Sequence, residues 1–182
     1  MEKALEDMWQ ERLDRVTHEV VQICDQHDPA ALHVSPHPGA WTAAEVLEHI
    51  MAVNTSYFPL FDMLVSGAFR PPLLAKLPVL PGMFGRMILQ SVQPANKRKT
   101  KTLPMWRPGK NVEISAIAKR FSDHQEELRG YLPRLSPLID QHVIIHSPAS
   151  NRIVYSLEHA IEIIVTHEER HLEQFKRAAG GM

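Results

Sequence analysis

The 182 residues predict an all-α fold, a four-helix bundle, on three observations. Apolar side chains recur at steps of three and four in four separate stretches, the period of helices that bury one face. Strand character is confined to one short β-branched run. The connection between the second and third stretches, about 67 to 110, is long enough for two successive helices to run parallel. The length suits one well-cored domain over 1–182.

The first helix rests on Leu5, Met8, Trp9, Leu13, Val16, Val20 and Ile23, and spans about 3 to 26. Cys24 lies beside that stripe and reads as a small buried side chain rather than a reactive thiol, since nothing near it would activate sulfur. A loop rich in His, Pro and Gly follows over 27 to 41. Thr42-Ala43-Ala44-Glu45 is then a capping box for the second helix, carried on by Val46, Leu47, Ile50, Val53, Tyr57, Phe58, Phe61 and Leu64. Pro59 should kink or divide it. His49 sits three residues after Val46 and four before Val53, on the buried face, where a lone histidine is more often a satisfied core residue than a ligand.

The third helix is expected over about 112 to 132, with Ile114, Ile117, Phe121, Leu128 and Leu132 inward, His124 in the same stripe, and Pro133 ending it or bending its last turn. Val143-Ile144-Ile145 reads as extended. Ser156 is a candidate N-cap for the fourth helix, which runs to Gly180-Gly181.

The net charge of −1 hides a strong asymmetry. Between Asp62 and Glu113 there is no acid, yet nine bases occur; the remainder holds 11 bases against 21 acids, a net of −10. Half of the 14 prolines fall between Gly67 and Lys110, and Gly82 to Val92 could form a short amphipathic helix there. The Lys97-Arg98-Lys99-Thr100-Lys101 cluster with Trp106 invites a nucleic-acid reading. No nucleic-acid motif accompanies it and the pI is near 6.8, so a solvated flap or a surface facing the acidic remainder of the domain is preferred. One cysteine excludes an internal disulfide framework and fits a reducing compartment. A charged amino terminus without a signal-peptide core, and no apolar run near the roughly 18 residues of a membrane span, lead us to expect a cytoplasmic protein.

The chemistry begins at His167-Glu168-Glu169-Arg170-His171. Two imidazoles four residues apart on a helix share a face and suit one metal ion. Two other pairs have the same spacing, but His33 and His37 straddle Pro36, and His142 and His146 enclose the extended run, where i and i+4 lie about 13 Å apart. The string also matches the H-E-x-x-H zinc-peptidase signature, which needs a third ligand downstream; only Leu172 to Met182 remain, without a histidine. A third ligand must therefore come from upstream. His159 is two turns away and off the face, which leaves His49 and His124.

The segment Trp41-Thr42-Ala43-Ala44-Glu45-Val46-Leu47-Glu48-His49-Ile50, the stretch Val53-Asn54-Thr55-Ser56-Tyr57, and His167-Glu168-Glu169-Arg170-His171-Leu172-Glu173-Gln174 together resemble the DinB-like superfamily of bacterial proteins. The resemblance covers most of the chain except 67 to 110, which looks like an insertion longer than usual for the family. It implies an up-down-down-up bundle whose second and fourth helices offer His49, His167 and His171 to a divalent metal. Among its members are metal-dependent hydrolases and enzymes that use low-molecular-weight thiols, including bacillithiol transferases and a mycothiol-dependent isomerase.

Three neutral imidazoles leave a coordination position open, the arrangement of catalytic rather than structural zinc; water bound there becomes a nucleophile and a thiol ionises. Zinc or nickel is expected first, with iron also compatible. Glu168 is a candidate general base or a carboxylate that orients a ligand, against the alternative of a solvated surface acid. The expected partner is a small molecule, anionic or electrophilic, drawn by the basic segment. The competing reading is a non-catalytic metal-binding or stress-related interaction module, dimeric through exposed apolar helix faces.

Overall fold

The computed structural model describes residues 2–77, 79–96, 101–109 and 116–180. Over these, the chain forms α1 (Glu2–Gln26), α2 (Ala43–Thr55), α3 (Phe58–Val65), α4 (Leu80–Val92), α5 (Ile117–Ile139), β1 (Ile144–Ser147), β2 (Ser150–Ser156) and α6 (Leu157–Gly180). Short 3-10 turns lie at Ala31–His33, Leu73–Lys76 and Pro104–Trp106.

The stripe of α1 buries Trp9, Leu13, Val16 and Val20, whereas Met8 is exposed. Trp9 takes the core position one turn before Leu13, and its neighbour is left on the shoulder. Both halves of the capping box form at α2: the Glu45 amide donates to Thr42 Oγ1 at 3.1 Å and the Thr42 amide donates to Glu45 Oε2 at 2.9 Å. Pro59 does divide the second apolar stretch. It falls in the first turn of α3, where its missing N–H costs nothing.

The stretch Gly109 to Ser115 contributes only its first residue to the described set, so the expected helix start and Ile114 lie outside the described residues; α5 begins at Ile117. Pro133 does not end this helix, which continues through Pro137 to Ile139. Leu135 and Ile139 are buried, at about 1.5–3 kcal/mol each, which offsets much of the cost of two interior prolines.

The all-α expectation needs one amendment. The extended run acquires a partner, and β1 pairs antiparallel with β2 through Ile144↔Ser156, Ile145↔Tyr155 and His146↔Val154. Ile145, Val154 and Tyr155 are buried, so this hairpin closes one end of the core. The Leu157 amide then donates to Val143 O at 2.9 Å, and Ser156 Oγ caps α6 by accepting from the His159 amide at 3.1 Å.

Two apolar clusters fill the bundle. One joins Trp9, Leu13, Phe61, Leu128, Leu135, Tyr155 and Ile164; the other joins Val16, Val20, Leu47, Ile50, Phe121, Leu172 and Phe175. Polar pairs set the helix directions. Trp9 Nε1 donates to Glu162 at 2.8 Å, Arg15 pairs with Glu169 at 2.5 Å and Lys176 pairs with Glu19 at 2.5 Å, so α1 and α6 advance together. Arg120 pairs with Glu48 at 2.6 Å and Tyr131 donates to Asp62 at 2.8 Å, so α5 advances with α2 and α3.

The long connection between α3 and α5 is packed rather than loose where it is described. The expected short helix is α4, which lies on β2 and α6. Gly85 sits so close to His159 that a Cβ would stand 2.6 Å from the ring. Arg170 Nη1 donates to the carbonyls of Ser91 at 2.9 Å and Gln93 at 3.1 Å. Trp106 Nε1 donates to Ser56 Oγ at 3.1 Å and the ring packs against the core, so Trp106 is not offered to a stacking base. Residues 97–100 of the basic cluster lie outside the described residues.

Candidate metal centre

The residues from His167 to His171 separate in four directions because α6 is packed on several sides. His167 and His171 face α2; Glu169 turns to α1, where it takes hydrogen bonds from Arg12 and Arg15; Arg170 reaches the end of α4; Glu168 enters the core. On α2 the capping box fixes the helix start, and His49 follows one turn after Glu45, 4% exposed and facing α6.

His49, His167 and His171 each offer one nitrogen, and these atoms lie within 4.8 Å of one another. His49 Nε2 and His167 Nε2 are 3.3 Å apart. Ring centroids are 5.1 Å apart for His49 and His167, 4.6 Å for His49 and His171, and 4.3 Å for His167 and His171. Among the described residues, this is the group of His, Cys, Asp or Glu whose atoms converge in this way. His124 is buried but stacks on Phe58 at 5.3 Å and stays outside it. The pairs His33/His37 and His142/His146 stay outside it too.

Hydrogen bonds select which nitrogen each ring presents. His49 Nδ1 donates to the Trp106 carbonyl at 2.7 Å, and His171 Nδ1 donates to Gln174 Oε1 at 2.9 Å. Both rings then carry a free lone pair at Nε2. Burial lowers the pKa of all three: that of His171 falls to about 3, that of His167 falls well below its usual range, with His171 and His49 adding to the effect, and that of His49 falls with the Trp106 bond opposing burial. The rings are therefore neutral, as a metal ligand must be.

The donor set fits a divalent ion. A tetrahedral centre with metal–nitrogen bonds of about 2.0–2.1 Å holds its ligand nitrogens about 3.3–3.4 Å apart, the separation of the His49 and His167 nitrogens. Lone pairs converging at that distance repel unless a proton or a cation lies between them; without a cation, the Nε2 proton of a neutral His167 ring fills that place and donates to His49 Nε2.

Glu168 is no surface acid. It is fully buried, and its Oε1 accepts from Asn54 Nδ2 at 2.6 Å and Gln125 Nε2 at 2.9 Å. Burial raises its pKa to about 7, with the two amides pulling the other way. Its carboxylate is not among the converging atoms. The signal was in the sequence: Ile161, Ile164, Val165, Leu172 and Phe175 form a core stripe at helical spacing, and Glu168 fills its middle position. Asn54 and Gln174 lay in recognised stretches without an assigned role. The Trp106 carbonyl left no trace, because a backbone acceptor has no sequence signature.

Cys24 is partly buried and its thiol is pushed up to about 11 by burial, with Asp25 adding to the shift, which suits an inert side chain. No helix among the described residues is long and apolar enough to cross a membrane.

No curated protein matches the chain. Among solved structures, it is similar to YfiT from Bacillus subtilis, described as a probable metal-dependent hydrolase with an unusual four-helix bundle topology. The two are 16% identical, the match covers 96% of this chain and 87% of that one, and the TM-score is 0.50, which shows a shared fold. The family model of the DinB superfamily matches residues 12–175. The chain belongs to the DinB superfamily.

Proposed function

We propose that this protein binds a divalent metal, zinc or nickel before iron, through His49, His167 and His171, and uses it in hydrolysis or in low-molecular-weight-thiol S-transfer on a small anionic or electrophilic substrate. One observation carries the reading: three neutral imidazoles converge, two with Nδ1 held so that Nε2 is free. A metal bound there would supply Lewis acidity and lower the pKa of a bound water or thiol. Exposed Lys101 and Arg107 on either side of the Pro104–Trp106 turn support an anionic substrate. We assign Glu168 a positioning role beside His167, since its Oε1 is held by Asn54 and Gln125 and its carboxylate stands outside the converging group. The paired progression of α1 with α6 and of α2 with α5 supports the up-down-down-up order, with 67 to 110 as an insertion between its two middle helices.

Metal analysis of the chain purified without added metal, beside His49→Ala and His167→Ala, tests the shared premise. About one ion per chain in wild type and loss in both variants is expected; undiminished metal in the variants would sink the site. Loaded protein is then assayed on a chlorinated aromatic and on ester substrates, with and without thiols. Turnover that requires a thiol favours transfer, turnover without one favours hydrolysis, and both must vanish in His171→Ala.

A further inference from the structure

Large apolar side chains left in solvent are not scattered over this molecule. Of the ten exposed among the described residues, eight lie between Met63 and Met105. The same stretch belongs to the 50 residues from Met63 to Val112 that contain no acid. Its centre is ordered. Val79, Met83 and Met87 follow at one-turn spacing along the start and outer face of α4, at 71%, 43% and 52% exposure, with exposed Arg86 between the last two. Leu73 and Leu77 flank exposed Lys76 in the preceding turn, which packs on both α4 and β2.

The hairpin beneath α4 repeats the pattern from a distant part of the chain. No acid occurs from Gln141 to Leu157, where Arg152 is exposed; Asp140 and Glu158 bound the segment. Two acid-free segments are thus packed together, on a chain whose remainder is strongly acidic.

We propose that this face, built from the Leu73–Lys76 turn, α4 and the hairpin, docks on an anionic lipid surface, with α4 lying in the plane of the headgroups. Aliphatic side chains beside arginine and lysine suit such an interface: the chains enter the acyl boundary while the cations meet headgroup phosphates. The proposal is independent of what the metal centre does.

The full chain is co-sedimented with vesicles of phosphatidylcholine, and with vesicles holding phosphatidylcholine and phosphatidylglycerol in equal parts, at low and high salt. Binding to the anionic vesicles on the order of tenfold above that to the neutral ones, mostly released by salt, is expected. Val79→Asp with Met83→Asp and Met87→Asp should abolish it while leaving the melting temperature and metal content unchanged. Lys76→Glu with Arg86→Glu reads the same dependence through exposed charge alone. Equal sedimentation with both lipids or with neither, or undiminished binding in both variants, overturns the proposal. So does a vesicle-free dimer that the triple variant dissolves, which reassigns the face to self-association.

Discussion

His49 Nδ1 donates to the backbone carbonyl of Trp106 at 2.7 Å, across 57 positions of sequence. The orientation of one imidazole on α2 thus depends on a turn in the long connection, and that turn is held to α2 by the Trp106 indole on Ser56.

Ser56→Ala should loosen that turn. Removing the acceptor costs about 1 kcal/mol of local stability, and Gln174→Ala removes the equivalent partner of His171. Each substitution should weaken metal affinity by about 10–100-fold with the helical content intact. Chelator competition measures the affinity; an unchanged affinity in both variants would show that the rings hold their tautomers without help.

Glu168 offers a comparison between isosteres. Asn54 Oδ1, Gln125 Oε1 and Glu168 Oε2 are all buried without a partner. In Glu168→Gln the new amide can donate to one of those oxygens while its own oxygen still accepts, so urea denaturation should find this variant as stable as wild type or more so. Glu168→Leu leaves both neighbouring amides unpaired and should cost about 2–4 kcal/mol. Equal stability of the two variants would contradict the network.

His124 ties stability to pH. Burial lowers its pKa from 6.5 to about 4, so the unfolded chain takes up this proton first as pH falls. The His124 contribution is complete above pH 6.5 and is lost as pH falls towards 4, by up to about 3 kcal/mol. His124→Phe keeps the stack on Phe58 and removes the titrating group. Its denaturation free energy should fall less steeply with acid over that range, in parallel titrations with wild type.

Gly85→Ala tests the seat of α4. Alanine ordinarily stabilises a helix interior by about 0.5–1 kcal/mol over glycine. Here the added Cβ meets the His159 ring at 2.6 Å, and the net effect should be a loss of about 1–3 kcal/mol. Hydrogen exchange should accelerate over 80–92 with the bundle core protected. His159→Ala in the same chain should restore protection, a coupling that a double-mutant cycle reads directly.

Arg12 joins α1 to α6 through both oxygens of Glu162, both of Glu169, and Thr166 Oγ1. Lysine keeps the charge but not the planar fork. Arg12→Lys should cost about 1–3 kcal/mol in thermal or chemical denaturation, since a single ammonium cannot reach both partly buried carboxylates and Thr166 at once. A loss below about 0.5 kcal/mol would place this cluster with ordinary surface pairs.

What the sequence disclosed follows from the range over which each signal acts. The helical stripes through Trp9, Leu47, Phe121 and Phe175 are local periodicity, and all four residues are buried. The cap at Thr42 fixed the phase of α2 and so the side on which His49 lies. Periodicity alone left His49 and His124 as equal candidates, because both fall on buried faces; only the tertiary meeting of α2 with α6 separates them. The hairpin escaped because β1 has four residues and its partner runs straight into α6. Pro133 was overruled by packing two turns farther on, which no breaker rule anticipates.

The backbone bond from His49 to Trp106 makes the connection between α3 and α5 a mechanical input to the three-histidine cluster. A force or contact that lifts the Pro104–Trp106 turn removes the acceptor that fixes the His49 proton on Nδ1. The His49 proton can then shift between the two ring nitrogens, and a displacement at the molecular surface becomes a change in imidazole basicity inside the bundle.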